Sequence, residues 1–233
     1  MNRLLLVCLS LALIGGMARA DDAADARKIV EAGLKAAGGA KGRKPAIAWS
    51  GSGKFYGMGA AIDYTGTWSL QLPDKKRMEI QNAFTLVVNG DKGWVNDQEM
   101  TKEQLAEQKE DMYADWVMQL DPLLKEGFTL SPLGESKVGD KPVVGVKVSH
   151  KGHHDINLYF DKSTHLLAKM EHRMKAMGTE AKFESIITAW ATVDGIKVPS
   201  KMTIKRDGEL YVDGEMTDYK MLDKLPDKTF EKP

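Results

Sequence analysis

The chain has 233 residues, 33 basic against 33 acidic, and a single cysteine, Cys8. A formal net charge of zero excludes the long-range field that would gather nucleic acid or an anionic membrane. One cysteine excludes an intramolecular disulfide and a cysteine-rich metal site.

The N-terminus reads as a secretory leader. Asn2 and Arg3 give a short basic start, Leu4 to Met17 is an almost unbroken apolar run, and Ala18-Arg19-Ala20 is the small-x-small pattern cut by signal peptidase. The apolar run is too short to span a bilayer. The expectation is a signal peptide over residues 1–20 and one domain over 21–233, exported to the periplasm or secreted. Cys8 would leave with the leader. Only Leu4 to Val7 precede it as apolar residues, too few for the core of a lipoprotein leader. No later stretch approaches the roughly 20 apolar residues of a spanning helix, so the mature chain is expected to carry no transmembrane segment. A domain of this size buries roughly 70% of its unfolded surface.

Asp21 to Ala37 is expected to be helical. Ile29, Val30, Leu34 and Ala37 form an apolar stripe among charged residues, and Gly38-Gly39 stops it. Lys41-Gly42-Arg43-Lys44 reads as a solvated turn. From Pro45 the period becomes two. Tyr64, Trp68 and Leu70 alternate with polar residues, as do Met78 and Ile80 after the Pro73-Asp74 turn. Phe84 to Val88 is apolar, and Asn89-Gly90 is a hairpin signal ahead of Trp94-Val95.

A second helix interrupts this meander. Thr101 and Gln104 fit a capping box. Met112, Trp116, Leu120 and Leu123 lie on one side, and Tyr113, Val117 and Leu124 widen that face. Asp121-Pro122 ends or kinks it, because proline lacks a donor and restricts the residue before it. Strands resume with Val144, Val146 and Val148. Ile156, Leu158 and Phe160 come next, then Leu166, Ala168 and Met170, then Phe183, Ser185 and Ile187. Asp194-Gly195, Asp207-Gly208 and Asp213-Gly214 punctuate the remainder. No fixed-length repeat occurs, which excludes a propeller or solenoid.

The fold class that follows is α+β and mostly β. One curved antiparallel sheet of about ten or eleven strands, a half-closed barrel, is covered by the N-terminal and mid-chain helices. If the helices leave space above the apolar face, that space is a ligand cavity.

Several segments resemble the periplasmic lipoprotein carriers of the LolA type. Gly66-Thr67-Trp68-Ser69-Leu70-Gln71-Leu72-Pro73-Asp74 with Arg77 is similar to their glycine–strand–proline segment, and Val87 to Asp97 to their next hairpin. Leu158-Tyr159-Phe160-Asp161 with Leu166-Leu167 resembles a further apolar strand, Asp turn and leucine pair. Asp194-Gly195-Ile196-Lys197-Val198-Pro199 is similar to a segment of the wider LolA-like group. The resemblance covers roughly residues 45 to 220. It implies a half-closed barrel lidded by helices around a hydrophobic cavity for lipoprotein acyl chains. It also implies a binding protein of outer-membrane lipoprotein sorting, not an enzyme. In the carriers an arginine just before the proline helps hold the lid. Leu72 stands there in this chain, and Arg77 aligns with a different strand position.

The alternation aims Trp68, Met78, Ile80, Val146, Leu158, Phe160, Met170, Met202 and Ile204 at the concave face, with Met112 and Trp116 opposing them from the mid-chain helix. These are the candidate ligand-binding residues. An ordinary packed core would use the same pattern. Much of the chain's complement of 13 methionines lies in the mature region, and Met suits a surface that accepts variable apolar shapes as well as a core filler.

His150, His153 and His154 with Asp155 are the nearest approach to a metal cluster. His153 and His154 are adjacent in an expected strand, which would send them to opposite sides. No G-x-S-x-G elbow or phosphate-cradling loop occurs. Glu110-Asp111 falls on the polar side of the helix as expected solvated carboxylates. Lys220, Lys224, Lys228 and Lys232 mark a charged tail extended along the sheet. The reading is therefore no catalytic residue, no metal and no cofactor. The partners expected are acyl chains of lipids or lipoproteins, and no nucleic acid. The alternatives are an envelope sensor or interaction module, with a filled core and a protein partner, and a metal protein built on the histidines.

Overall fold

A period of two, sustained over most of the chain, builds a single sheet. The structure, a computed structural model, describes residues 15–176 and 178–233. The first fourteen residues of the expected leader lie outside the described residues.

Helix α1 (Gly15–Ala36) opens the described chain. Six strands follow as a meander: β1 (Ala46–Phe55), β2 (Ile62–Gln71), β3 (Lys75–Ile80), β4 (Phe84–Asn89), β5 (Lys92–Val95) and β6 (Gln98–Glu99). Helix α2 (Lys102–Met118) and a 3-10 turn (Asp121–Leu124) lead to the second meander. Its strands are β7 (Phe128–Val138), β8 (Lys141–His150), β9 (Ile156–Asp161), β10 (Leu167–Ala176), β11 (Thr179–Val193), β12 (Ile196–Arg206) and β13 (Glu209–Leu222). The order across the sheet is β6-β5-β4-β3-β2-β1-β13-β12-β11-β10-β9-β8-β7, and all neighbours are antiparallel. The two meanders are joined by β1 against β13. β6 and β7 are the free edges, so the barrel stays open.

The sheet has thirteen strands, more than the ten or eleven expected. The surplus comes from the edges. β6 has two residues, and β7 is a mostly exposed strand whose ladder shifts between Pro132 and Gly134. Neither has the apolar alternation that marks a half-buried strand. A second irregularity, between Leu167 and Lys169, moves the alternation of β10 by one. Leu167 and Met170 therefore enter the core together, in place of the expected Leu166–Ala168–Met170 row.

α1 starts earlier than the expected Asp21 and ends where expected. The Gly39 amide donates to the Leu34 carbonyl at 2.8 Å, with Gly38 and Gly39 at φ 99° and 78°. A Cβ on Gly38 would lie 2.4 Å from the Gly195 carbonyl oxygen, so only glycine lets α1 end against the β11–β12 turn. The α2 capping box forms as expected. The Gln104 amide donates to Thr101 Oγ1 at 3.2 Å and the Thr101 amide donates to Gln104 Oε1 at 2.9 Å. α2 stops at Met118, Leu120 takes φ 66°, and Pro122 leaves only the 3-10 turn.

The main core lies between the helices and the β7–β10 half of the concave face. Val30 and Leu34 from α1, and Tyr113 and Val117 from α2, pack over Val146, Leu158 and Phe160. Gly33 permits this approach, because a Cβ there would sit 2.5 Å from the Phe160 ring. A smaller core sits on the convex face. Lys220 extends along the sheet in β13 as expected, but beyond Leu222 the charged tail leaves it, turns at Asp227–Phe230 and inserts Phe230 beside Ala46, Val87 and Leu225. Arg77 Nη1 donates to the Thr229 carbonyl at 3.3 Å, and Asn89 Nδ2 donates to the Phe230 carbonyl at 3.2 Å.

Truncating this peg removes a fully buried ring. Phe230→Ala is expected to cost about 3 kcal/mol in denaturant unfolding. An unchanged midpoint would contradict the assignment of Phe230 to a core.

Candidate functional site

Strand register decides which side chains meet above the sheet. Trp68 lies opposite Trp49 on β1 and opposite Met78 on β3, and Ile80 opposite Gly66. Met202 lies opposite Ile187 and Gly214, and Ile204 opposite Ser185 and Val212. Leu158 joins Val146 on β8 to Met170 on β10, and Phe160 lies opposite Val144. All nine strand positions singled out in the sequence therefore share one face, the concave one.

That face has two characters. Val146, Leu158, Phe160 and Met170 are fully buried beneath the helices and belong to the packed core. Met112 is buried against Leu86 and Val88, with half-buried Met78 and Leu72 beside them. Trp116 is half-buried at the edge of the main core. Trp68, Ile80, Met202 and Ile204 stay half-buried. They lie on β2, β3 and β12; Met202 packs against the edge of the main core, and Trp68, Ile80 and Ile204 lie beyond it.

The back wall is more aromatic than the sequence pattern indicated. Trp49 and Trp68 are parallel to within 5° with centroids 5.9 Å apart, and Tyr219 stacks on Trp49 at 5.8 Å. Tyr64 meets Trp68 edge-on at 6.3 Å. The Trp68 ring lies over Gly51 and Gly66, which face one another across β1 and β2; a Cβ on Gly51 would come within 2.6 Å of it. Glycine at both positions lets the indole lie against the sheet. The Tyr219 hydroxyl donates to the Pro199 carbonyl at 2.7 Å, and burial pushes its pKa up.

α2 spans this interior and is tied at both flanks. On one side Lys76 Nζ from β3 reaches Asp111 at 2.5 Å and Asp115 at 3.2 Å. The Lys76 side chain is only 7% exposed. Burial acts to lower its pKa, and the two carboxylates more than reverse that, so the ammonium stays charged. Burial raises the pKa of Asp115, opposed by Lys76 and reinforced by Asp111. On the other side Glu110 accepts from the His154 amide at 2.8 Å and contacts His153 Nδ1 at 2.9 Å. The His153 ring stacks on Tyr113 at 3.9 Å. At the helix start Glu107 accepts from the Gly178 amide at 3.0 Å, in the β10–β11 turn.

These contacts correct two expectations. Glu110 and Asp111 are not solvated surface carboxylates; each ties α2 to a different wall. His153 and His154 are in the loop between β8 and β9, not in a strand, and His153 serves that tie. Among the described residues no three His, Cys, Asp or Glu side chains gather to hold a metal ion. Leu72 packs into the apolar cluster under α2, and Arg77 points to the convex side. Lys76, which the sequence reading passed over, supplies the cationic contact to α2. Its signal was present, since Lys76, Met78 and Ile80 share one parity and Asp111 and Asp115 flank Met112 at helical spacing.

Replacing Lys76 leaves two carboxylates facing each other near the interior. Lys76→Met is expected to cost about 1–3 kcal/mol, with Asp115→Asn costing less because Lys76 keeps Asp111. Equal stability of wild type and Lys76→Met would contradict the tie.

His172 lies under α2, stacked on Phe183 at 5.7 Å, and neither ring nitrogen has a hydrogen-bond partner among the described residues. Burial lowers its pKa, partly offset by Asp111 and Glu110. The unfolded chain therefore binds a proton more readily, and His172 withdraws stability as pH falls through the ordinary histidine value of about 6.5. His172→Phe should shrink the stability difference between about pH 7 and about pH 5. An unchanged difference would contradict the burial of a neutral imidazole.

No protein-family model and no curated protein matches the chain. Solved structures do. A LolA superfamily protein from Nitrosomonas europaea superposes with a TM-score of 0.60 at 13% identity, over 89% of this chain and 97% of that one. A DUF1329 family protein from Desulfovibrio piger gives a TM-score of 0.61 at 12% identity, over 90% and 97%. A domain named for outer membrane lipoprotein sorting, from Vibrio parahaemolyticus, gives 0.56 at 10% identity, over 90% and 97%. At these identities the likeness is one of architecture: the open antiparallel sheet with helices on its concave face is the LolA-like fold.

Proposed function

We propose that this chain is an exported, non-enzymatic binding protein that holds acyl chains of a lipid or lipoprotein between the concave sheet and α2. The observation that carries this reading is the uneven filling of the concave face. The β7–β10 half is a closed core. The back wall of Trp49, Trp68 and Ile204 keeps half-buried apolar surface outside that core, while α2 is anchored in the core through Tyr113 and Val117 and at its margins by polar contacts. A domain that needed this surface only for stability would pack it.

The energetics suit an acyl chain. Withdrawing one from a bilayer forgoes about 0.8 kcal/mol per CH₂, roughly ten kcal/mol for a chain of ~16 carbons. A broad apolar lining is the only interaction of that size available here, and flat indoles and unbranched methionines conform to a flexible chain. The solved structures of the same fold include one named for lipoprotein sorting, which supports the class of cargo. Leu72 and Lys76 set the chain apart from the carriers it resembles. One of the contacts between sheet and helix is an ion pair from β3, so moving that flank of α2 requires Lys76 to leave both aspartates.

Brominated fatty acid tests the reading through tryptophan fluorescence. Saturable quenching is expected, and it should fall by about half or more in the Trp49→Phe, Trp68→Phe double variant, because those two rings line the proposed chamber. No quenching, or quenching that the double variant leaves unchanged, would contradict it.

A further inference from the structure

Among the described residues, three of the five large apolar side chains left exposed gather at one end of the back wall. Met58 is 77% exposed, Ile62 45% and Leu210 40%. They come from two adjacent hairpin ends, the β1–β2 loop and the start of β13. The Tyr56 amide donates to the Tyr211 carbonyl at 2.9 Å, and Phe55 meets Tyr211 edge-on at 5.0 Å. The segment Phe55-Tyr56-Gly57-Met58-Gly59-Ala60-Ala61-Ile62 carries no charge, and its only polar side-chain group is the Tyr56 hydroxyl.

This tip continues the chamber. Phe55 pairs with Val212, and Val212 with Ile204 of the back wall. Tyr211 also contacts Phe183 at 5.8 Å. Apolar surface thus continues from the Trp49–Trp68 wall toward Met58, bordered by Arg206, whose guanidinium lies 5.8 Å from the Tyr211 ring centroid and donates to the Ala176 carbonyl. Three other hairpin tips in the sheet are polar: Asn96-Asp97, Asp194-Gly195 and Asp207-Gly208.

We propose that the β1–β2 tip, with Met58 at its apex and Ile62 and Leu210 beside it, docks on the surface of a lipid bilayer and gives the ligand a dry path into the chamber. The proposal rests on the lipid-binding reading above. The chemistry of the tip favours a bilayer over a protein partner. It offers apolar side chains and a glycine-rich backbone, with no charged group to fix a register. Aromatic rings at its base, Tyr56 and Tyr211, suit the headgroup level, and the apex suits the acyl boundary. Lys54 at its base is already paired with Asp63 at 2.7 Å, so the attachment is apolar and weakly dependent on salt.

Flotation with zwitterionic phosphatidylcholine vesicles tests the tip, and quenching by a brominated lysolipid kept below its micelle concentration tests the chamber. The wild type is expected to float with vesicles at low and high salt. The Met58→Glu, Leu210→Glu variant should lose about tenfold or more of that binding while keeping lysolipid quenching. Wild-type quenching without flotation would overturn the docking tip and leave the chamber standing. Flotation that survives in the variant, or that vanishes at high salt, would overturn it as well. Loss of lysolipid quenching in the wild type would count against the chamber itself.

Discussion

A lysine drawn into an apolar interior is the contact on which the arrangement turns. Lys76 lies on the concave face among leucines and methionines, where a lone ammonium would be intolerable. Asp111 and Asp115 make it tolerable, and because they are on α2, they fix that helix across the sheet. Glu110, on the same helix, reaches the opposite wall through His153 and the His154 amide. The helix is thus held both by its apolar face, with Tyr113 and Val117 in the main core and Met112 against Leu86 and Val88, and by polar contacts at its margins.

The sheet supplies the other half of the arrangement. Its two meanders meet at β1 and β13, and the aromatic wall forms at that seam. Gly51, Gly66 and Gly214 leave room for Trp68 and Tyr64 to lie close to the backbone. Burying the β7–β10 half under α1 and α2 supplies cohesion, and the Phe230 peg braces the convex side of the first meander. The seam lies outside that core and carries half-buried aromatic and apolar side chains.

Much of this was legible in the residues. Alternation placed all nine strand candidates on one face, and the Thr101–Gln104 box marked where α2 begins. What escaped was whatever depends on partners distant in sequence. A lysine at an alternating position reads as polar until Asp111 and Asp115, thirty-five and more residues away, are brought beside it. Edge strands such as β7 bury too little for a pattern to appear. Single-residue slips, as at Leu167 in β10, change which residue enters the core without changing composition. Lining and filling side chains share one sequence pattern, so the split between Phe160 in the core and Trp68 on the open wall needed the helices in place.

The central claim is that the chamber between α2 and the aromatic wall holds an apolar guest. Mass spectrometry of material extracted from protein purified out of its native envelope, without detergent, addresses it most directly. The account expects a lipid or acylated species at about one per chain, depleted when Trp49 and Trp68 are both replaced by smaller polar residues. Protein that is free of lipid and binds none when offered it would contradict the account.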